Sequence, residues 1–402
     1  MAPVPALPWD IIDLIIDSTY YSDGPEPLKT LSLVSREWRP HSQRCIFNDF
    51  SLNVQMMRKV YAESTDASET TGNTPRSQPL TVLSYVRNLY IESRGITPKE
   101  PGAAYILQSF TGVTFLEITN WHFQDFESRH IIDFLSHFGA TVTTLKLLED
   151  FCDSEVLIFL TSLFPLVRDL WISPRYFSER KTYKIKYADR SRGVGFQGNL
   201  VFKHLRPIYD GFLAFVNMHS SDVRSITAYG CKSNGELQNL FDRQGHKLSS
   251  VTVGVSDGEG KCGPVQSLHH SILVLTLRFP DPLSLSSCTQ LRTLTICLVG
   301  SFEFANRNWD VLRTVVSVPH LEGIEVCDFY GTVSGVFSEE WKDIDDLLCQ
   351  CHDRSEVKTF RRFSLILDGA QYDGGGDWLI ECVQRLWPRF VERIEIGVEI
   401  RL

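Results

Sequence analysis

The sequence predicts an α/β protein: a small all-α unit over residues 1–50, followed by an irregular strand–helix array over residues 51–402. Three observations predict it. The first helix is apolar at almost every position that is not acidic. An apolar-x-x-apolar-x-apolar pattern then recurs down the rest of the chain. Between its copies lie segments with helical periodicity, and strands alternating with helices at a short regular interval imply parallel stacking.

The N-terminal elements follow in order. In LPWDIIDLIIDST, Pro8 suits the first helical position, where its missing N–H costs nothing, and Asp10 suits the first turn. On a wheel of about 100° per residue, Asp10, Asp13 and Asp17 gather within roughly 60°, while Ile11, Ile12, Leu14, Ile15 and Ile16 spread over roughly 200°. A helix lying on one core needs an apolar stripe only somewhat wider than about 100°. The surplus predicts a helix that serves its own core and a partner at once. The turn YYSDGPEPLKT follows, with Gly24, Pro25 and Pro27. Leu28, Leu31, Val34 and Trp38 then recur at helical spacing, with Pro40 ending or kinking that helix. His41 to Phe47 gives a last short turn of helix. Three short helices are too few to close a core alone, so this unit needs a neighbour.

These residues resemble a known family. Leu7-Pro8-x-Asp10-Ile11-Ile12-x-x-Ile15-Ile16, then Leu28-x-x-Leu31-Ser32-Leu33-Val34-Ser35-x-x-Trp38-Arg39, then Cys45-Ile46-Phe47, look like an F-box, in the variant common among basidiomycete fungi. The loop between the first two helices is longer and richer in proline than usual. The resemblance implies docking on the Skp-type adaptor of a cullin ubiquitin ligase. Leu7, Pro8, Ile11, Ile12, Ile15, Leu31, Val34 and Trp38 would form that interface or its immediate support. The other reading of the same residues is a three-helix cap on the array behind it.

The repeat is strong in VRNLYI (86–91), VTFLEI (113–118), VTTLKL (142–147), VRDLWI (167–172), VRSITA (223–228), LSSVTV (248–253), ILVLTL (272–277), LRTLTI (291–296), LEGIEV (321–326) and VERIEI (391–396). Its fourth positions are Leu89, Leu116, Leu145, Leu170, Ile226, Val251, Leu275, Leu294, Ile324 and Ile394, spaced mostly in the twenties. Weaker copies lie near FSLNV (50–54), NLVF (199–202) and FRRFSLI (360–366). Helical segments are expected at 104–110, 126–138, 155–164, 210–218, 235–244, 308–316, 340–351 and 377–387. Period and strand pattern resemble leucine-rich repeats, which implies a curved solenoid. The usual Asn after the strand is missing. Residues 63–79 and 173–198 read as inserts.

Strand alternation sets the fourth and sixth positions inward and the third and fifth outward. Outward positions in the first half are large or charged, and those in the second half are small and hydroxylated. Tyr90, Phe115, Glu117, Lys146 and Trp171 are therefore the expected partner-binding patch, since recognition favours aromatic anchors in a polar surround. Loops lying over them are the other possibility. The insert at 173–198 carries seven basic side chains against two acidic ones, with Tyr176, Phe177, Tyr183 and Tyr187 interleaved. It reads either as a solvated loop or as a seat for an acidic segment.

Other motifs point away from covalent chemistry. GVSDG (254–258) has the G-x-S-x-G spacing, but GEGKCGPV follows and cannot start the helix that a Ser256 nucleophile needs. Cys349, Cys351 and His352 lack the second ligand pair of a zinc site, and two of them read as core residues at a helix end. DGGGD (373–377) lacks the Lys-Ser/Thr of a phosphate loop. The acids of EEWKDIDD (339–346) read as a solvated helix face, with Trp341, Ile344, Leu347, Leu348 and Cys351 turned inward.

A net charge of −9 disfavours nucleic acid and anionic membrane as partners. The opening apolar run has no preceding Lys or Arg and is broken by three Asp, unlike a secretory signal. Ten cysteines without a CxxC pair read as reduced and mostly buried, in cytoplasm or nucleus. The expectation is a receptor subunit of a Skp–cullin–F-box ubiquitin ligase, with no catalytic residues, metal or cofactor of its own. It would dock the adaptor through its N-terminal helices and a protein substrate through the array. The alternative is an interaction scaffold without ligase association.

Overall fold

The computed structural model describes residues 8–34, 36, 38–53, 55–56, 81–92, 106, 109–119, 135–148, 154–173, 196–202, 209–219, 222–228, 235–254, 284–298, 314, 318–328, 342–354, 362–368, 381, 384–385, 387–393 and 395–401. The chain is mixed helix and strand, and its strands pair in parallel. Two compact units are distinguished. The first holds the described residues through Leu148 together with Leu163–Val167; the second holds Ser154–Ser162 and the described residues from Arg168 onward.

The first unit begins with α1 (Trp9–Asp23), α2 (Glu26–Val34) and α3 (Trp38–Ile46). Pro8 is the residue before α1 rather than its first helical residue: its ψ of 144° is extended, and its carbonyl accepts the N–H groups of Ile11 and Ile12 at 3.1 and 3.2 Å. The ring still presets φ at the helix entry. Gly24 ends α1 at φ 76°, donating its N–H to the Tyr20 carbonyl at 3.0 Å. Such a φ favours glycine.

Pro40 does not end the second helix, as the sequence suggested. α2 stops at Val34, and Pro40 sits in the first turn of α3. The first four N–H groups of a helix have no intrahelical partner, so proline is tolerated there. Ile12, Ile16 and Leu28 form the core of the trio, with Tyr20, Leu31, Trp38, Cys45 and Ile46 packed against it.

Four strands follow in the same unit: β1 (Asp49–Leu52), β2 (Asn88–Glu92), β3 (Phe115–Thr119) and β4 (Thr144–Leu148). Each pairs in parallel with the next, aligning Phe50, Leu89, Leu116 and Leu145 across the sheet. The weak copy at 50–54 thus overlaps a strand paired in parallel with the next, and the expected boundary at residue 50 falls inside β1. Inward residues Leu89, Ile91, Leu116, Ile118, Leu145 and Leu147 are at most 1% exposed. Each contributes about 1.5–3 kcal/mol relative to exposure in water. A carbonyl at each strand entry fixes the register. Asn48 accepts the N–H groups of Arg87 and Asn88, Arg87 those of Thr114 and Phe115, and Thr114 those of Thr143 and Thr144, all within 2.8–3.0 Å.

The second unit repeats the plan. It contains α4 (Ser154–Leu163, whose last residue falls in the first unit), β5 (Asp169–Ile172), β6 (Gln197–Phe202), α5 (Asp210–His219), β7 (Asp222–Ala228), α6 (Gly235–Gln244), β8 (Ser250–Gly254), β9 (Thr293–Leu298), β10 (Gly323–Asp328), α7 (Lys342–Arg354), β11 (Arg362–Asp368), α8 (Pro388–Val391) and β12 (Glu395–Arg401). From β5 to β12 each strand pairs in parallel with its successor. The weak copies at 199–202 and 360–366 are β6 and β11.

Several expectations change here. β8 pairs directly with β9, aligning Val251 with Leu294. Residues 272–277 are outside the described set. The last strand starts at Glu395, and Ile396 rather than Ile394 aligns with Phe363. A two-residue slip keeps every side chain on its face, so alternation alone could not distinguish the two. The insert expected over 173–198 yields at its end to a buried Phe196 and to β6; residues 174–195 are outside the described set, as are 63–79. Asp345 is not on a solvated face. It is 6% exposed and accepts the Phe390 N–H at 2.8 Å, satisfying a free donor at the start of α8. Leu348, Cys349 and Cys351 of α7 are buried, and Phe363, Trp387 and Phe390 pack edge to face with centroids 5.2–6.5 Å apart.

Candidate functional site

Two surfaces of the first unit hold the residues singled out in the sequence. The first is the outer side of α1. The wide apolar arc divides cleanly: Ile12 and Ile16 turn into the core, while Trp9, Ile11, Leu14 and Ile15 are 51%, 41%, 64% and 37% exposed. Leu33 of α2 is exposed too, at 77%. Pro8 is exposed at the helix entry. Of the other expected docking residues, Ile12 is wholly enclosed and can act only as support. Leu31 and Trp38 are half-buried against the core from α2 and α3. Leu7 lies outside the described residues, as does the side chain of Val34.

Sequence reasoning missed Trp9 and Leu33. Trp9 stacks on His41 with ring centroids 5.1 Å apart, and His41 Nδ1 meets the Asp13 carboxylate in a short contact. The spacing alone gave no sign of this tie between α1 and α3. Beside it lies a cleft of about 300 Å³, lined by Asp13, Asp17, Tyr20, His41, Arg44 and Cys45 among others. Cys45 donates to Asp17 Oδ1 at 3.6 Å. Burial first, then the Asp17 charge, pushes its thiol up to about 11, so it stays protonated and is a poor nucleophile at neutral pH.

The second surface is the outward face of β1–β4. The strands bring Tyr90, Phe115, Glu117 and Lys146 together, as the alternation predicted. Trp171 lies half-buried on β5 of the second unit. Tyr90 and Phe115 are half-buried rather than open, with centroids 5.6 Å apart at 50°. Glu117 and Lys146 stand opposite each other in register and pair at 2.7 Å, with side chains 13% and 20% exposed. They therefore answer each other's charge first.

Asp49 is the residue the sequence did not reveal here. It opens β1 and is exposed. Its Oδ1 accepts from Asn88 Nδ2 at 2.8 Å and from the Tyr90 hydroxyl at 3.4 Å. Its Oδ2 accepts from Asn48 Nδ2 at 3.1 Å and from the Tyr20 hydroxyl at 3.2 Å. One carboxylate thus joins α1 to the strand face. Burial, followed by the Asp49 charge, raises both phenols above the ordinary tyrosine range, so both remain hydrogen-bond donors at neutral pH. The only signal for Asp49 was its place directly after the last helix.

In the second unit several outward positions carry small polar groups that bond one another. Asn199 donates to Asp169 Oδ1 at 2.6 Å, and Ser225 donates to Asn199 Oδ1 at 2.8 Å. Thr295 donates to Glu325 Oε2 at 3.3 Å. Ser256 and the glycines at 373–377 lie outside the described residues. Cys349 and Cys351 are buried in the core, and burial raises the Cys349 thiol.

Among the described residues, no helix is long and apolar enough to cross a membrane. Compared with known protein families the chain matches none, and a search of curated proteins finds no match either.

Proposed function

We propose that this protein is a substrate-receptor subunit of a Skp–cullin–F-box ubiquitin ligase. α1–α3 would be an F-box docking on a Skp-type adaptor, and the strand–helix repeats an irregular leucine-rich-repeat-like solenoid presenting a protein substrate. The protein itself would carry out no covalent step. It would hold its partner near a ubiquitin-loaded enzyme supplied by other subunits, raising the local concentration of the reacting groups. Its place would be the cytoplasm, the nucleus or both.

The observation that carries the reading is the division of α1. Ile12 and Ile16 already fill the core, yet Trp9, Ile11, Leu14 and Ile15 remain at the surface of the same helix. Large apolar side chains left at the surface once the core is filled mark an interaction site, and Ile11, Leu14 and Ile15 share one side of the helix. The F-box-like order of Pro8, Ile11, Ile15, Leu31 and Trp38 supports the adaptor as its occupant. In-register parallel pairing of strand after strand supports the repeat reading.

Co-expression with a Skp-type adaptor tests it. The full chain should co-purify with the adaptor, and Ile11→Asp with Ile15→Asp should abolish the complex while leaving the thermal transition in place. A wild-type chain that never retains the adaptor would leave the three helices as a cap and the protein as a scaffold.

A further inference from the structure

The outward face of β1–β3 has a chemistry that narrows its partner. Asp49 is exposed, and each of its four hydrogen-bond donors is neutral: two amides and two phenols. Among the described residues, no cation is paired with it. The neighbouring acid on this face, Glu117, differs in that Lys146 already sits 2.7 Å from it. Neutral donors orient a carboxylate without cancelling its charge. The two phenol bonds, at 3.2 and 3.4 Å, are also loosely made, since O–H···O bonds prefer about 2.7–2.8 Å.

Beside this charge stands the Tyr90–Phe115 ring pair, with centroids 5.6 Å apart. Tyr90 belongs to both features, its ring meeting Phe115 and its hydroxyl reaching Asp49. A fixed, uncompensated carboxylate next to half-exposed aromatic rings fits a cation that also stacks. Guanidinium is the group that combines bidentate pairing with carboxylate and stacking on rings.

We propose that the β1–β3 face around Asp49, Tyr90 and Phe115 docks a basic, arginine-bearing segment of a protein partner. This rests on the reading of the strand face as the partner-binding surface, and it names the partner's chemistry. An incoming guanidinium takes the Asp49 carboxylate, displaces the long Tyr90 hydrogen bond, and lies against the two rings. The chain's net charge of −9 draws such a segment in from a distance.

The test uses the full chain and a fluorescein-labelled hexa-arginine peptide, followed by fluorescence anisotropy, with hexa-glutamate as the opposite-charge control. Hexa-arginine should bind and hexa-glutamate should not. Asp49→Asn should weaken binding about tenfold, and Phe115→Leu about threefold. Asp23→Asn removes the same charge from the exposed end of α1 and should change affinity by less than about twofold. Equal losses for Asp49→Asn and Asp23→Asn would reduce the effect to general charge attraction and overturn the proposal. So would binding of hexa-glutamate as tight as that of hexa-arginine. A wild-type dimer that separates on Asp49→Asn would seat a second copy on this face instead, and also overturn it. If Asp49→Asn lowers the thermal transition, Phe115→Leu, which leaves every Asp49 hydrogen bond in place, decides. No adaptor is present in this assay, so its failure is separate from a failure of adaptor docking.

Discussion

The three N-terminal helices and the four strands that follow them use apolar residues in opposite ways. In β2–β4 every inward Leu and Ile is at most 1% exposed, and each outward neighbour is polar or aromatic. The strands leave no aliphatic residue over once their core is closed, save Leu148 at the end of β4. α1 has a surplus. Two isoleucines suffice for the small core of the trio, and Trp9, Ile11, Leu14 and Ile15 remain outside it. Similar composition therefore yields a closed surface in one region and an open one in the other. The difference teaches that hydrophobic content does not report a binding site; the residues left over after the core is filled do.

The largest effect is expected on the open surface. Placing Asp at both Ile11 and Ile15 should cut adaptor affinity by about a thousandfold or more, the loss of two interface anchors of about 2 kcal/mol each. Titration of purified adaptor by calorimetry measures it. The equivalent change on the strand face, at Tyr90 and Phe115, should leave adaptor affinity unchanged. Equal losses from the two faces would erase the distinction drawn between them.

Truncations sharpen the same comparison through stability. Leu116→Ala in β3 should cost about 3 kcal/mol, and Ile12→Ala in α1 about 2–3 kcal/mol, because each opens a hole in a filled core. Ile15→Ala, at a position 37% exposed on the same helix, should cost no more than about 0.5 kcal/mol. Urea denaturation of the three variants provides the ranking. An Ile15→Ala cost matching that of Ile12→Ala would mean that the exposed arc belongs to the core after all.

How much of this could be read in the sequence differed between the regions, for a physical reason. The strand face was legible because a period of two places each residue on a known side, and the burial of Leu89, Leu116 and Leu145 follows it. Even the weak copies at Phe50, Leu200 and Phe363 align with their neighbours. What period two cannot reveal is a slip by two: the pattern fits Ile394 as well as Ile396, and Ile396 is the one that pairs. On α1 the wheel showed that the arc was too wide, but not where the core would divide it. That depends on the angles at which α2 and α3 approach, which no local pattern encodes. Asp49 stayed hidden because its four partners come from residues 20, 48, 88 and 90, mostly remote in sequence.

A smaller effect is expected where the second unit's strands approach most closely. Gly198, at the start of β6, has φ +121°, and a Cβ there would stand 2.1 Å from the Arg168 carbonyl oxygen. Both the backbone conformation and the space exclude a side chain. Gly198→Ala should cost about 1–3 kcal/mol, the usual scale of one residue held in a sparsely populated conformation. Gly235→Ala, at the exposed start of α6 with nothing near its Cβ, should be neutral or slightly stabilising, by at most about 1 kcal/mol. Thermal unfolding of the pair separates a requirement of the strand approach from a general intolerance of change in the second unit.

The smallest effect concerns pH and sets the trio against the second unit once more. Cys45 of α3 titrates at about 11, raised chiefly by burial and then by the Asp17 charge; Cys288 is held at about 12, chiefly by burial. In an unfolded chain both thiols ionise near the ordinary cysteine value, about 8.5. The folded state therefore keeps its protons longer than the unfolded state does. The stabilisation is fully present below the unfolded value and is lost as pH rises through the folded one. Stability should thus decline from about pH 9 upward and continue to fall through pH 11, with no contribution from these thiols on the acid side. Cys45→Ser removes one titrating group while keeping a donor for Asp17. It should make the decline between pH 9 and 11 shallower, and leave in place the loss due to Cys288, which continues toward pH 12. Urea midpoints measured across that range decide it: an unchanged slope in Cys45→Ser would mean that the thiol is solvated, and that the trio is open around α3 as well as along α1.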